Sequence, residues 1–494
     1  MEGNPLKIKA IREALPERYA DIRLTDDDFV DALYSLLFDT DAPVITIMGA
    51  GGTGKSFMYK VYCSIRRVLC TATTGIAAFN LSQDGIPAMT LHSALKLKPH
   101  PWFDSRSASS INEMMDNYNE LFIDEVSMLN ANLLDFILTK IRGVNEGRKK
   151  SGKPIFRVVL FGDTLQLPPV VKEYERNIRV LWQKEYGGEH MFYNSKAFRE
   201  YREQGASRFF FLDEIHRQDR KEFMNILNEI RFAVPSSDTL EKINSHVINI
   251  DDFTRNQGKD GFLYLATKNK TVKAVNDEFE KVFREQGMTP VVYEAEETGD
   301  PDWKHYFTNM EKKVELYVGQ QVMCISNDVN KHYQNGTLGI IVGFMPFMNP
   351  FPDETELSEF KKELVELNRG FVLPVIQTKI GTFQVMRSKF EEYTIKYYND
   401  TDGTYSIPEV KGAITQISCK PAYACTIHKS QGLTLSAVYL DTTDSPMENG
   451  VYVALSRLKS LDGLGLKVPI EKTDIRTNEE SIKLYREFNA LVGD

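Results

Sequence analysis

The sequence has few cysteines and no long hydrophobic run. Five cysteines are scattered through 494 residues and never form a C-x-x-C pair, so we expect neither a disulfide framework nor a structural zinc site. The longest apolar runs, such as Pro43–Met48 and Phe371–Val375, are far shorter than the ~20 residues of a membrane-spanning helix. The N-terminus also lacks the basic stretch and apolar core of a secretory signal. We therefore expect a protein of the reducing cytoplasm with no membrane segment.

The chain also has no excess of positive charge. Its formal net charge is -9 at pH 7, which excludes a uniformly basic surface but still allows a local groove that meets phosphates. Apolar residues account for 42% and charged residues for 26%, as in ordinary soluble globular proteins. At roughly 100–200 residues per domain, the length predicts about two to four domains.

Short apolar runs alternate with helical patterns along much of the chain, which predicts an α/β protein with parallel sheets. Residues 1–42 form a polar lead-in with an amphipathic helix at Phe29–Phe38. A second α/β pattern is expected to start at Phe209–Leu212, to continue through Phe262–Leu265 and to resume at Ile414–Leu440. The first pattern lies between Pro43 and about Val170, and its apolar runs are Val44–Met48, Val68–Thr73, Leu121–Ile123 and Val158–Phe161.

Residues 288–412 differ in texture, because short β-rich runs are separated there by turns. Asn335-Gly336 and Asp402-Gly403 are dipeptides that suit the positive-φ positions of a type I′ hairpin turn. We therefore predict a small β-barrel inserted into the second α/β domain.

One segment carries a strong phosphate-binding signal. Gly49-Ala-Gly-Gly-Thr-Gly54-Lys55-Ser56 matches G-x-x-x-x-G-K-[ST] without a gap, between a strand run and a helical pattern at Phe57–Ile65. The alternative, a fortuitous glycine-rich turn, does not account for this context. Lys55 would reach the β- and γ-phosphates, and the Ser56 hydroxyl would bind Mg²⁺. The loop backbone would wrap the nucleotide phosphates through Gly51, Gly52, Thr53 and Gly54.

Two further strand ends carry polar side chains where ligands bind in parallel sheets. Asp124 and Glu125 follow an apolar strand; Asp124 would hold Mg²⁺, and Glu125 would polarise the attacking water as general base. A solvated acidic pair is the plain alternative. Gln166 follows the next strand, and its amide could sense the γ-phosphate because it both donates and accepts hydrogen bonds. Together these segments predict a Mg²⁺-dependent ATPase or GTPase.

The order of these and later motifs resembles that of superfamily 1B DNA helicases, within them the Pif1-like group, with RecD and Dda as more distant relatives. The resemblance extends from the phosphate-binding loop to Leu466. The matching segments are Thr71–Ala78 (motif Ia), Thr90–Ser93 (Ib), Asp124-Glu125 (II), Gly162–Pro169 (III), Glu214–Gln218 (IV), Thr426–Thr434 (V), Val451–Arg457 (VI) and the NGT.G string Asn335–Gly339.

This resemblance implies two RecA-like P-loop domains with parallel sheets, the first at 43–205 and the second at 206–287 plus 413–494. It also implies a pin insertion at about 96–110 and an SH3-like barrel at 288–412. The implied activity is an ATP-dependent 5′-to-3′ DNA helicase that translocates on single-stranded DNA.

The resemblance also implies roles for individual side chains. Arg217 and Arg457 would be arginine fingers that stabilise transition-state charge, and Gly432 would lie at the nucleotide. Thr73, His92, His428 and Ser430 would contact the DNA backbone, although a local cap or turn role is nearly as good an interpretation of each. Trp102 and Phe103 would wedge the duplex fork, with core packing as the equal alternative.

The sequence departs from the group before the phosphate-binding loop: Thr25–Ala32 contains no glutamine of the kind that reads adenine, which leaves adenine selectivity open. ATP and Mg²⁺ are the expected cofactors. Single-stranded and forked DNA are the expected partners, with G-quadruplex DNA as a candidate. We expect the isolated protein to be a monomer and to come from a bacterium or a phage. DNA repair, recombination and telomere maintenance are the group's expected contexts. The alternative is a nucleotide-switched P-loop module that clamps DNA without translocating, which would not need two arginine fingers.

Overall fold

The structure is a computed structural model. It describes residues 4–492 except 20, 21, 23, 25, 84, 98–104, 172–175, 214–220, 258–261, 300–310, 331, 352–356, 401 and 402. Two compact units divide the chain. The first comprises Met1–Ile250, Gln431–Val438 and Thr442–Asp494, and the second comprises Asp251–Ser430 and Tyr439–Asp441.

A six-stranded parallel sheet in the order β3-β2-β4-β5-β1-β6 forms the centre of the first unit. The four apolar runs expected in this part of the chain all form strands, so the predicted parallel sheet is confirmed. The strands are β1 (Val44–Gly49), β2 (Leu69–Ala72), β3 (Ala88–Thr90), β4 (Glu120–Asp124), β5 (Arg157–Gly162) and β6 (Ser207–Leu212).

Both faces of this sheet are buried. Alternate residues of β1 enter different apolar clusters: Val44 and Met48 pack in one, and Ile45 and Ile47 in the other. This near-continuous apolar pattern is what a parallel strand covered by helices requires. The helices of the first unit are α1 (Pro5–Ala14), α2 (Asp27–Phe38), α3 (Lys55–Cys63), α4 (Gly75–Gln83), α5 (Leu91–Ala94), α6 (Ser105–Asn117), α7 (Ala131–Lys150), α8 (Arg176–Tyr186), α9 (Lys196–Glu203), α10 (Lys221–Arg231), α11 (Ser237–Asn244), and, after the second unit, α16 (Gly450–Leu455) and α17 (Glu479–Val492).

The predicted amphipathic helix is α2. Asp26 caps its first turn, where one carboxylate oxygen accepts the N–H of Asp28 at 3.0 Å. Its apolar stripe is buried against the sheet, as the spacing predicts, through Phe29, Leu33, Leu36 and Leu37.

One strand lies elsewhere than expected. The run Phe209–Leu212 was expected to open the second α/β pattern, but it belongs to β6, which pairs in parallel with β1 at the edge of the first sheet. The reason is packing: Phe211 joins the core cluster on one face and Leu212 the cluster on the other. The predicted second domain combines 206–287 with 413–494. In the structure, residues 206–250 and nearly all of 431–494 instead belong to the first compact unit.

The second unit combines a small α/β part with antiparallel sheets. Strands β7 (Phe262–Ala266) and β18 (Ala424–Thr426) pair in parallel, and the helices are α12 (Ile250–Gln257), α13 (Asn269–Glu285), α14 (Glu359–Asn368) and α15 (Ile427–Ser430). The expected β-rich character of 288–412 is confirmed, while its SH3-like architecture remains a prediction. The remaining strands of this unit are β8 (Val291–Glu294), β9 (Glu296–Gly299), β10 (Lys313–Leu316), β11 (Gln321–Cys324), β12 (Leu338–Pro346), β13 (Val372–Thr378), β14 (Gly381–Gln384), β15 (Arg387–Asp400), β16 (Gly403–Ile417) and β17 (Cys419–Pro421). Of the last two strands, β19 (Ala437–Leu440) has residues assigned to each unit, and β20 (Leu464–Leu466) is assigned to the first.

The turn at Asn335-Gly336 forms, but not with type I′ geometry. Gly336 has a φ of 95°, whereas Asn335 is not among the positive-φ residues. The N–H of Thr337 donates to the carbonyl of Gln334 at 2.9 Å, so Gly336 occupies the third position of the turn, where a type II turn requires positive φ. Strand β11 ends at Cys324, which makes the connection to β12 longer than a two-residue hairpin. Asp402, the start of the second dipeptide, lies outside the described residues.

The pin prediction is not tested, because Trp102 and Phe103 lie outside the described residues. Helix α6 begins at Ser105, beyond Pro99 and Pro101, and thus occupies the end of the predicted 96–110 insertion. No helix within the described ranges is long and apolar enough to cross a membrane.

Candidate nucleotide-binding site

The glycine-rich loop follows β1 and runs into the first turn of α3. Gly52 and Gly54 have φ angles of 91° and 95°, a conformation that residues with a Cβ rarely adopt. A Cβ on Gly49 would lie 2.6 Å from the carbonyl oxygen of Leu212, so β6 leaves room only for glycine there. The loop is anchored on one side by the buried Thr53, whose hydroxyl donates to the carbonyl of Ala50 at 3.0 Å. Its other side is open, since Gly51, Gly52 and Ser56 are exposed.

The Lys55 ammonium folds back over this loop. It donates to the carbonyl oxygens of Gly49 and Ala50, the latter at 2.7 Å. Burial lowers the pKa of Lys55 below its ordinary value, while the carboxylates of Asp163 and Asp124 act in the opposite direction. A phosphate would give this ammonium a charged hydrogen-bond partner, which binds more strongly than a neutral carbonyl.

The predicted acidic pair lies at the end of β4. Glu125 has a φ of 55°, and Oδ1 of Asp124 accepts its N–H at 2.9 Å. Positive φ in a residue with a side chain costs about 1–3 kcal/mol and persists where the surroundings hold it. Thr73 holds it here, because its hydroxyl donates to the Glu125 carbonyl at 2.8 Å and its N–H to the Asp124 carbonyl at 3.1 Å.

Asp124 is suited to a hard cation. Burial and the neighbouring Glu125 raise its pKa to about 7. A cation relieves both effects, and carboxylate and hydroxyl oxygens are the ligands that Mg²⁺ prefers. Asp124 and the exposed hydroxyl of Ser56 therefore fit a magnesium ion. No cluster of three or more His, Cys, Asp or Glu residues able to form a metal cage exists among the residues described.

Gln166 lies in a buried polar cluster after β5. Its side-chain oxygen accepts Nε2 of Gln431 at 3.2 Å, and its carbonyl accepts Nδ2 of Asn449 at 2.8 Å. The same Gln431 amide donates to the Ser127 hydroxyl at 3.1 Å, two residues after the acidic pair. Motifs III and V thus meet within the first unit, together with residues that lie next to motifs II and VI.

Arg457 follows α16 and is buried, with only 7% of its surface exposed. Its guanidinium donates to the Val453 carbonyl at 2.9 Å and the Ser456 hydroxyl at 2.7 Å, and it forms no salt bridge with a described carboxylate. Burial lowers the pKa of Arg457, and the charges of Glu125 and Asp163 oppose that effect. A buried arginine that has no carboxylate partner among the described residues is suited to an incoming phosphate.

Gly432 contacts α4 in this structure. Its φ is 79°, and its carbonyl accepts Nδ2 of Asn80 at 2.8 Å. A Cβ at this position would lie 3.3 Å from Ile76. Its nucleotide role remains a prediction.

The predicted DNA-contacting residues differ in what they present to solvent. His92 is exposed on the single turn of α5, which Thr90 caps by accepting the N–H of Ser93 at 3.2 Å. His428 is half-buried in the second unit, and burial lowers its pKa, so its imidazole is neutral at neutral pH. Ser430 is fully buried, and its hydroxyl donates to the Ile427 carbonyl at 2.8 Å. The Ser430 hydroxyl thus makes a local turn bond, whereas the Thr73 hydroxyl binds the distant Glu125 carbonyl; their DNA roles are not tested.

Arg217 lies outside the described residues, as do Trp102 and Phe103. Sequence reasoning missed three residues that the structure places in the site: Arg231, Asn449 and Tyr452. Tyr452 and Asn449 lie in or beside the motif VI segment, where only Arg457 carried a predicted role. Arg231 gave no motif signal. The sequence shows only that this charged residue falls on the same face of α10 as the apolar residues Leu227 and Ile230.

The fold and these contacts define a P-loop nucleotide-binding protein with a RecA-like parallel sheet. Comparison with known families narrows this class, because the profile of the PIF1-like helicases matches residues 26–237. The ATP-dependent DNA helicase PIF7 of Trypanosoma brucei brucei is 27% identical over 90% of this chain and 46% of its own length. The ATP-dependent DNA helicase Pif1 of Psychrobacter sp. is 28% identical over 85% of this chain and 65% of its own.

A solved structure covers nearly the whole chain. The Bacteroides Pif1 helicase in complex with ADP-AlF3 and single-stranded DNA is 26% identical, has a TM-score of 0.69, and covers 95% of this chain and 98% of its own. The chain is thus similar to Pif1 helicases over nearly its whole length, and it spans about half to two thirds of the length of the curated relatives named above.

Magnesium binding at this site should weaken as the pH falls through about 7. The metal binds the ionised carboxylate, and with a pKa of about 7 the ionised fraction of Asp124 drops about tenfold between pH 8 and pH 6. We expect a comparable loss of Mg²⁺ affinity in the nucleotide complex, measured by magnesium titration at both pH values. Asp124→Asn is the control, because it should bind magnesium weakly at both. Equal wild-type affinity at pH 6 and pH 8 would show that Asp124 is not a ligand.

Proposed function

We propose that the protein is an ATP-dependent DNA helicase that translocates 5′-to-3′ on single-stranded DNA and unwinds duplex or structured DNA. The observation that carries this proposal is that the charge of Glu125 acts on both Lys55 of the phosphate-binding loop and the buried Arg457, while Gln166 is held by Gln431 and Asn449. A Bacteroides relative of similar fold was solved with ADP-AlF3 and single-stranded DNA, which supports the same pair of ligands here.

The chemistry follows from the positions of the side chains. The loop N–H groups and Lys55 would hold the nucleotide phosphates, and Glu125 would take the proton of the attacking water. Mg²⁺, held by Ser56 and Asp124, would neutralise charge on the phosphates. Arg457 would stabilise the charge that develops in the transition state. Gln166 would bind the γ-phosphate, and its position would then change together with Gln431 and Asn449, which bind it.

Hydrolysis can be coupled to DNA through the residues next to this chemistry. Thr73 binds the main chain of both Asp124 and Glu125, so any movement of motif Ia is felt at the catalytic pair. His92 and neutral His428 can bind backbone phosphates as neutral hydrogen-bond donors, which positions a strand without reading its sequence. Arg217 would supply a second finger, and Trp102 and Phe103 the wedge.

The remaining parts of the proposal concern the setting of the activity. Single-stranded and forked DNA are the proposed partners, with G-quadruplex DNA as a further candidate, and the enzyme would act as a monomer in the cytoplasm. The five cysteines are all free in the structure.

Two substitutions should abolish turnover by different routes. Lys55→Ala removes the charge that binds phosphate, whereas Glu125→Gln leaves the phosphate contacts and removes the base. We expect Glu125→Gln to bind ATP normally while hydrolysis falls by ~10² or more, the range for loss of a general base. Fluorescence titration measures nucleotide binding and phosphate release measures hydrolysis, so the two assays together distinguish the two variants. Equal loss of ATP binding in both variants would contradict the role of Glu125.

Strand separation should depend on the polarity of the DNA tail. A 5′-to-3′ translocase that loads on single strands unwinds a duplex with a 5′ tail and leaves its 3′-tailed counterpart intact. The measurement is a gel or fluorescence unwinding assay with matched substrates, with Glu125→Gln as the inactive control. Equal unwinding of both substrates would overturn the polarity. DNA-dependent ATP turnover without unwinding of either would favour the nucleotide-switched module.

A further inference from the structure

A buried carboxylate next to the nucleotide site accepts hydrogen bonds from protein groups at both of its oxygens. Asp163 has no exposed surface, and it follows β5 directly. Its Oδ1 accepts Nε and Nη2 of Arg231 at 3.2 and 2.9 Å and the N–H of Leu165 at 3.1 Å. Its Oδ2 accepts the hydroxyl of Tyr452 at 2.7 Å. Asp163 is therefore occupied by the protein, which leaves Asp124 as the carboxylate open to a metal.

Arg231 is held as firmly as the carboxylate that it binds. It is 2% exposed, and its guanidinium lies 5.2 Å from the ring centres of both Phe232 and Tyr485. Its carbonyl accepts the Thr477 hydroxyl at 2.9 Å. Lysine could not replace this arginine, because it lacks a planar group that packs against aromatic rings and directs two N–H groups at one oxygen.

The same network reaches the residues that act on the nucleotide. The N–H of Gln166 donates to the Asp163 carbonyl at 3.1 Å, so the two residues form one short turn. Tyr452 lies within α16, and Asn449, which precedes that helix, holds the Gln166 carbonyl at 2.8 Å. Helix α16 is thus fastened to the Asp163–Gln166 turn at two points, and Arg457 follows directly from its end.

We propose that Arg231 and Tyr452 are positioning residues: by holding both oxygens of Asp163 they fix Gln166 and the helix that leads to Arg457 relative to the phosphate-binding loop. The expected effect on kcat rests on the proposed ATPase function, whereas the expected effect on the rigidity of the two segments does not. Arg231 acts through Asp163, which its Nε and Nη2 bind.

Tyr452→Phe tests the proposal, because it removes one hydroxyl and keeps the ring. Tyr264→Phe is the matched control, since Tyr264 is another buried tyrosine whose hydroxyl donates to an aspartate, Asp441, at 2.6 Å in the second unit. We expect Tyr452→Phe to lower kcat for ATP at least tenfold while KM and nucleotide binding stay within about threefold. Tyr264→Phe should lower the Tm by about as much as Tyr452→Phe does, but it should leave kcat within twofold of the wild-type value.

Hydrogen exchange provides a readout that does not depend on turnover. In the absence of nucleotide, Tyr452→Phe and Arg231→Lys should speed amide exchange in 163–169 and 450–457 together, and Tyr264→Phe should not. A Tyr452→Phe/Arg457→Ala double variant should be hardly slower in ATP hydrolysis than Arg457→Ala alone, because Tyr452 acts largely through that residue.

Two outcomes would overturn the inference. Unchanged exchange in both segments would show that the network does not hold them, whether or not the protein hydrolyses ATP. Unchanged kcat in Tyr452→Phe beside an active wild type would make the network merely structural. A wild type without ATP turnover would instead contradict the proposed function, while exchange would still decide whether the network joins the two segments.

Discussion

The nucleotide site depends on the buried ion pair between Asp163 and Arg231. Removing one partner of such a pair typically costs about 3–5 kcal/mol, since the other charge stays buried without compensation. The pair also sets the charge around the phosphate-binding loop. Asp163 favours the charged form of Lys55, Arg231 disfavours it, and Asp124 is left as the acidic group whose raised pKa a cation can relieve. Stability and chemistry therefore share one set of contacts.

The sequence predicts best where a local pattern has a local cause. The phosphate-binding loop needs glycines at Gly52 and Gly54 because the backbone is left-handed there, and this need is visible in the string itself. The strand ends that carry Asp124 and Gln166 were predictable because parallel strands place their carboxyl ends at one edge. Helix α2 was predictable because its apolar stripe has the helical period and is buried.

Prediction failed where a property depends on partners distant in sequence. Strand β6 has the same apolar texture as any buried strand, and only its pairing with β1 assigns it to the first sheet. Arg231 looks like one more charged residue on a helix, yet its partner Asp163 lies 68 positions away. For Ser430, whose role at DNA is not tested, the sequence alone could not distinguish a phosphate contact from the bond to Ile427 within its own turn that the structure shows.

Single-stranded DNA should stimulate nucleotide hydrolysis at the site of Lys55 and Glu125. The most direct test is steady-state ATP turnover with and without an unstructured single-stranded oligonucleotide, with Glu125→Gln measured beside it. Turnover that rises manyfold with DNA and vanishes in Glu125→Gln is the result that we predict. Turnover that is equal with and without DNA would contradict the claim.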